Sequence, residues 1–122
     1  MVRAVVLVPG LRVQSPNVKE HFHARSRRVN AEKLAVTVAL ASLGAGTAAA
    51  LRDAPRVELR LVRLGGRKLD RDNVAMGFKG TLDAVAKWLR IDDGDEERLG
   101  VTWLQEPGGD YGVRIELTGG EA

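Results

Sequence analysis

The sequence predicts an α/β (α+β) chain, a single-layer mixed β-sheet packed against two helices in the order β-α-β-α-β-β. Three observations lead there. Short apolar runs with period-two alternation occur at both ends and near the middle, and two longer segments repeat their apolar residues at helical spacing. No repeat, low-complexity linker or composition break divides the 122 residues, so 1–122 reads as one domain.

Residues 2–8 (VRAVVLV) read as a buried strand ended by Pro9-Gly10. Residues 11–29 read as irregular and basic, with a turn at Ser15-Pro16-Asn17. Asn30 is expected to cap a helix starting at Ala31, with Glu32 in its first turn. That helix runs to about Leu43, and Gly44-Ala-Gly46 either ends it or weakens it before Leu51. Residues 56–64 alternate as a strand with Val57, Leu59 and Leu61 on one face, and Gly65-Gly66 breaks it. Asp72-Asn73 opens a second helix to about Arg90, its apolar face made by Val74, Phe78, Leu82, Val85 and Leu89. Leu99–Trp103 and Tyr111–Leu117 alternate on either side of Glu106-Pro-Gly-Gly-Asp110 and read as a hairpin.

Composition narrows the function. The formal charge of +3 conceals an asymmetry. Residues 1–69 hold thirteen basic against four acidic side chains, whereas residues 70–122 hold six against twelve. Without cysteine there is no disulfide framework, thiolate zinc site or cysteine nucleophile, which points to a reducing cytoplasm. No signal h-region or bilayer-length apolar run is legible, so a soluble protein with no membrane partner is expected. Five scattered aromatic residues do not make a base-stacking platform for single strands. The sequence has neither a P-loop nor a serine-centred nucleophile elbow.

The densest chemistry lies in Lys68-Leu-Asp70-Arg-Asp72-Asn73 and, one helix later, Ile91-Asp92-Asp93-Gly94. Asp72, Met76, Lys79 and Asp83 fall on one helical stripe. The two acidic groups stand at opposite ends of a helix spanning roughly 25 Å, so they meet only if the following segment folds back. Where they meet, hard oxygens and an ammonium suit Mg²⁺ or Mn²⁺ and phosphoryl chemistry. Each piece alone also has a plain reading. An isolated D-x-D is ordinarily a solvated loop or a helix cap, Asp92–Asp95 a polar turn, and Lys79 with Asp83 an i,i+4 pair. The basic segment Lys19 to Lys33, with Arg25, Arg27, Arg28, His21 and His23, reads either as a phosphate-contacting surface or as a solvated loop.

These residues resemble a known family. Leu69-Asp70-Arg71-Asp72-Asn73, then Lys79-x-x-x-Asp83-Ala84, then Leu89-Arg90-Ile91-Asp92-Asp93 are similar to the signature of the RusA-like Holliday-junction resolvases of bacteria and phages, and the likeness extends along the chain. The resemblance implies a RusA-like fold and a homodimeric, Mg²⁺-dependent endonuclease (Mn²⁺ as alternative ion) that resolves four-way branched DNA, with no small-molecule cofactor. It implies action in the cytoplasm of a bacterial or phage-infected cell. Asp70 and Asp72 correspond to two metal ligands, and the third is one of Asp92 and Asp93, with Asp93 favoured. Lys79 corresponds to the catalytic lysine, and Asn73 and Asp83 to supporting residues. Lys19, Arg25, Arg27, Arg28, Lys33, Arg67, Lys68 and Arg71 are assigned to DNA contact. In the best-known members the lysine falls at the position of Met76, about 4.5 Å away along the helix axis, while phage-type members share the longer spacing. A non-catalytic branched-DNA-binding protein, a nuclease preferring flaps or forks, and a small interaction module are the competing expectations.

Overall fold

The computed structural model describes residues 1–14 and 20–120. The expected Ser15-Pro16-Asn17 turn and Lys19 lie outside the described residues. The elements are β1 (Val2–Pro9), α1 (Phe22–Ala41), α2 (Gly44–Asp53), β2 (Arg56–Leu64), α3 (Arg71–Gly77), α4 (Lys79–Leu89), β3 (Leu99–Glu106) and β4 (Gly112–Gly120). The fold class is as expected: one mixed four-stranded sheet with helices packed on it.

The strand order is β1-β4-β2-β3. β4 runs antiparallel to both β1 and β2, while β3 runs parallel to β2. Period-two alternation sends Ala4, Val6, Val8, Val57, Leu59, Leu61, Val113, Ile115 and Leu117 into one buried layer with Val36, Leu40, Leu51, Val74, Phe78, Val85 and Leu89 from the helices. The other sheet face is open and carries ion pairs, Arg60 with Glu116 (3.3 Å) and Arg114 with both Glu106 and Glu116.

The first expected helix starts earlier and ends just before Gly44, and the second is divided. α1 begins at Phe22, capped by the His21 ring, whose Nδ1 accepts from the His23 N–H at 3.2 Å, so Asn30 lies inside the helix and caps nothing. The extra turns carry little apolar periodicity and are held instead by charge. Arg28 donates to Glu20 and to Glu32 (3.0 Å), and Glu32 is buried. At Ser42-Leu43 the axis bends by 102° into α2, so Gly44, at φ +85°, starts a new helix. The second expected helix breaks at Phe78 (φ −86°, ψ 1°), where the fully buried ring enters the core.

The expected hairpin is not formed. β3 and β4 lie on opposite sides of β2, because the Pro107–Tyr111 connection arches over the end of β2. Gly65 and Gly66, at φ +80° and +71°, make room for that arch. A Cβ on Gly65 would stand 2.7 Å from the Asp110 carbonyl oxygen. The Gly65 N–H donates to the Glu106 carbonyl at 3.0 Å, and the Gly108 N–H to that of Gly66 at 3.2 Å.

Candidate functional site

The motif acids occupy two places. Asp70 takes the N-cap position of α3, yet its side chain makes no capping bond, and Asp72 lies exposed in the first turn. The plain reading of Asp72 as the cap therefore does not hold. Two side chains hold the segment leading to Asp70. The Gln105 amide pairs with the Leu69 backbone like a peptide, accepting from its N–H (2.8 Å) and donating to its carbonyl (2.9 Å). The buried Arg63 guanidinium donates to the carbonyls of Val13 (3.1 Å), Gly65 (3.3 Å) and Arg67 (2.6 Å). Burial pulls the Arg63 pKa down, and the neighbouring Arg12 adds to that while Tyr111 opposes it. Arg63 continues the inward alternation of Val57, Leu59 and Leu61, so its place in the core is readable from the strand's period. Gln105 gives no such signal.

Asp92 and Asp93 follow α4, which Arg90 ends in the left-handed conformation at φ 60°. The Asp92 carboxylate accepts from the Gly94 N–H (2.9 Å), forming a local turn. The loop is then pinned to the far end of the sheet. Arg98 donates to the carbonyls of Arg52 (3.0 Å) and Ala54 (3.1 Å), and Arg56 to those of Glu96 (2.7 Å) and Glu97 (3.1 Å). Asp93 is exposed and has no hydrogen bond or ion pair among the described residues.

These attachments fix the separation. Leu69 is tied to the end of β3 at Gln105, while the Leu99 N–H donates to Asp95 (2.9 Å) at its start. Gln105 stands six residue steps along the strand from Leu99, roughly 20 Å. The expected fold-back does not occur within one chain. Among the described residues, no three His, Cys, Asp or Glu side chains gather into a group that could hold a metal ion. Within one chain, Asp70 and Asp72 therefore do not share such a group with Asp92 and Asp93.

The helical stripe is likewise divided by the break at Phe78. Met76, Lys79 and Asp83 line a cleft of about 450 Å³ against α1 with Glu20, Arg28 and Glu32, and Asp72 is not in it. Asp83 pairs with Lys33 at 3.6 Å, and it borders a second depression shared with Asp92 and Asp93. Asn73 lies half-buried in the first turn of α3, and Lys79 is exposed at the start of α4. Burial raises the Glu32 pKa against the opposing pull of Arg28, while the Arg28 hydrogen bond lowers that of Glu20.

The basic residues sort into two sets. Arg25, Arg28 and Lys33 are engaged with Glu20, Glu32 and Asp83. Arg27, Arg67, Lys68 and Arg71 are exposed, and their side chains make no ion pair among the described residues. Three of those four flank Asp70 and Asp72. No helix among the described residues is by itself long and apolar enough to cross a membrane. No family model matches the chain, and no curated protein gives a significant match.

Proposed function

We propose that the protein is a Mg²⁺-dependent, structure-specific DNA endonuclease that hydrolyses phosphodiesters in branched DNA, with the four-way junction as substrate. One observation carries this reading. Asp70, Asp72 and Asp93 are exposed carboxylates that neither cap a helix nor pair with a cation among the described residues, so fold stability does not account for them. Arg67, Lys68 and Arg71 supply cations beside the first two acids, where a DNA backbone would otherwise be repelled.

Because one chain keeps its acids apart, the reading requires two copies, one giving Asp70 and Asp72 and the other Asp92 and Asp93. A homodimer also suits a junction of two-fold symmetry, which must be nicked on two strands. The test is a cleavage panel of four-way junction, fork, flap and duplex with Mg²⁺. Nicked duplex products from the junction are expected, and Asp72→Asn should abolish cutting while binding persists. An intact junction under saturating protein refutes the enzyme.

The split acids also favour a second reading, a branched-DNA-binding protein without catalysis. That protein would bind the panel and cut none of it, with or without Mn²⁺.

A further inference from the structure

We propose that Gln105 is a positioning residue, whose side-chain amide locks the end of a backbone strut, Gly65–Leu69, and so presents Asp70 and Asp72 in one direction before any ligand arrives. The effect on cleavage rests on the nuclease reading above, whereas the locking itself does not.

The strut is built from ties to its surroundings, residue by residue. The Gly65 N–H donates to the Glu106 carbonyl (3.0 Å), and the Gly65 carbonyl accepts from Arg63 (3.3 Å). The Gly66 carbonyl accepts from the Gly108 N–H (3.2 Å), and the Arg67 carbonyl from Arg63 (2.6 Å). Leu69 is held at both its N–H and its carbonyl by Gln105. Lys68 alone of the five is without such a tie among the described residues. Surface connections ordinarily leave many of their backbone groups to water, and this one does not. Arg63 and Gln105 are in register on β2 and β3, so the two side chains leave the same face of the sheet and reach the same segment.

The two-point pairing has a mechanical result. The Leu69 N–H belongs to the peptide plane before that residue and the carbonyl to the plane after it, so one amide fixes both. The plane after Asp70 is fixed in turn, because its carbonyl accepts from the Val74 N–H at 3.0 Å as α3 begins. The Asp70 backbone is therefore set on both sides, and only its side-chain torsions remain free, since the carboxylate makes no capping bond. Asp72 rides in the first turn of the same helix. Little else orients α3, because Val74 is the one buried residue of its seven.

Glutamine suits this task by its chemistry. A planar amide offers an acceptor and a donor side by side, whereas a carboxylate lacks the donor and leucine lacks both. Two half-buried bonds between neutral groups contribute only about 1 kcal/mol each to folding. Bonds that orient an acting carboxylate count for more in a reaction, where their loss typically costs about 10–100-fold.

Gln105→Leu keeps the length of the side chain and removes both bonds. The Leu69 amide should then exchange with deuterium about tenfold faster, while those of Leu59 and Ile115 keep their rates. At saturating protein and Mg²⁺, the single-turnover rate of junction cleavage should fall about 10–100-fold, with junction affinity and the urea midpoint near those of wild type. Gln105→Glu still accepts from the Leu69 N–H but sets an oxygen against the Leu69 carbonyl, and should not restore the rate. Unchanged exchange at Leu69 in Gln105→Leu overturns the proposal, as does an unchanged cleavage rate once the tie is lost. Rate, affinity and stability falling together would reduce Gln105 to a merely structural role and overturn it too. The two readings can fail separately. A wild type that binds the junction and never cuts it refutes the nuclease, and the exchange at Leu69 then decides the strut alone.

Discussion

Glu32 and Arg63 are two charges that the fold keeps from water, and each has a measurable consequence. The folded Glu32 pKa is raised above its ordinary value of 4.5, so its ionised form is disfavoured by folding. Stability lost to this group at neutral pH is regained as pH falls through the raised value towards 4.5. Glu32→Gln removes that dependence, so its stability relative to wild type should fall as pH drops from neutral to 4.5, read by urea denaturation. A difference independent of pH would refute the assignment. Glu20 and Glu106 work in the opposite sense, because arginine hydrogen bonds lower both, and their contribution is lost as pH falls below the ordinary value. Arg63→Ala leaves three carbonyls without their donor and should cost about 3 kcal/mol in the same assay. Arg63→Met, which keeps the volume, should cost nearly as much if those bonds carry the effect. At this scale the sequence is partly legible. The Asp70–Asn73 and Asp92–Asp93 groups stand where the motif puts them, at a helix start and after a helix end. Their failure to meet is not legible, since it depends on which end of β3 each segment is tied to.

Packing between elements turns on how closely α3 and its neighbours approach. A Cβ on Gly77 would stand 2.7 Å from the Gln14 carbonyl oxygen and 2.8 Å from Val13 Cγ1, so backbone must move to admit it. Gly77→Ala should destabilise by about 1–3 kcal/mol. Gly80→Ala meets the Val29 methyl at 3.3 Å, a contact a side chain can relax, and should cost less. Equal losses for the two would show that the approach of α3 to the Val13–Gln14 segment is not constrained. β2, with its inward Val57, Leu59 and Leu61, is legible to its observed bounds, because alternation is local. The first nine residues of α1 are not, since Arg28 with its two carboxylates stabilises them and apolar periodicity does not. The absent hairpin has a related cause. Alternation in Leu99–Trp103 and Tyr111–Leu117 identifies two strands, but their partner, β2, lies far back in the chain and leaves no mark in the intervening turn.

Across the whole molecule, the charge asymmetry of the chain does not become a uniformly basic face. Much of the basic surplus between Arg25 and Lys33 is neutralised by Glu20, Glu32 and Asp83. The exposed cations outside any ion pair among the described residues include Arg67, Lys68 and Arg71 beside the acids. Replacing Lys68 and Arg71 by alanine should lower the salt slope of duplex binding by about 0.9 for each phosphate no longer neutralised. Arg28→Ala should leave that slope unchanged and reduce stability instead, and the opposite pattern would reverse the two roles. The position of β4 has a consequence for synthesis. β1 joins the sheet only through β4, which also flanks β2, so the strand made last occupies an interior place. A ribosome-bound chain lacking β4 has its first strand unattached and one side of β2 unpaired. Folding of the sheet must therefore await synthesis of Gly112–Gly120, and a product truncated before Gly112 should be protease-sensitive throughout the sheet.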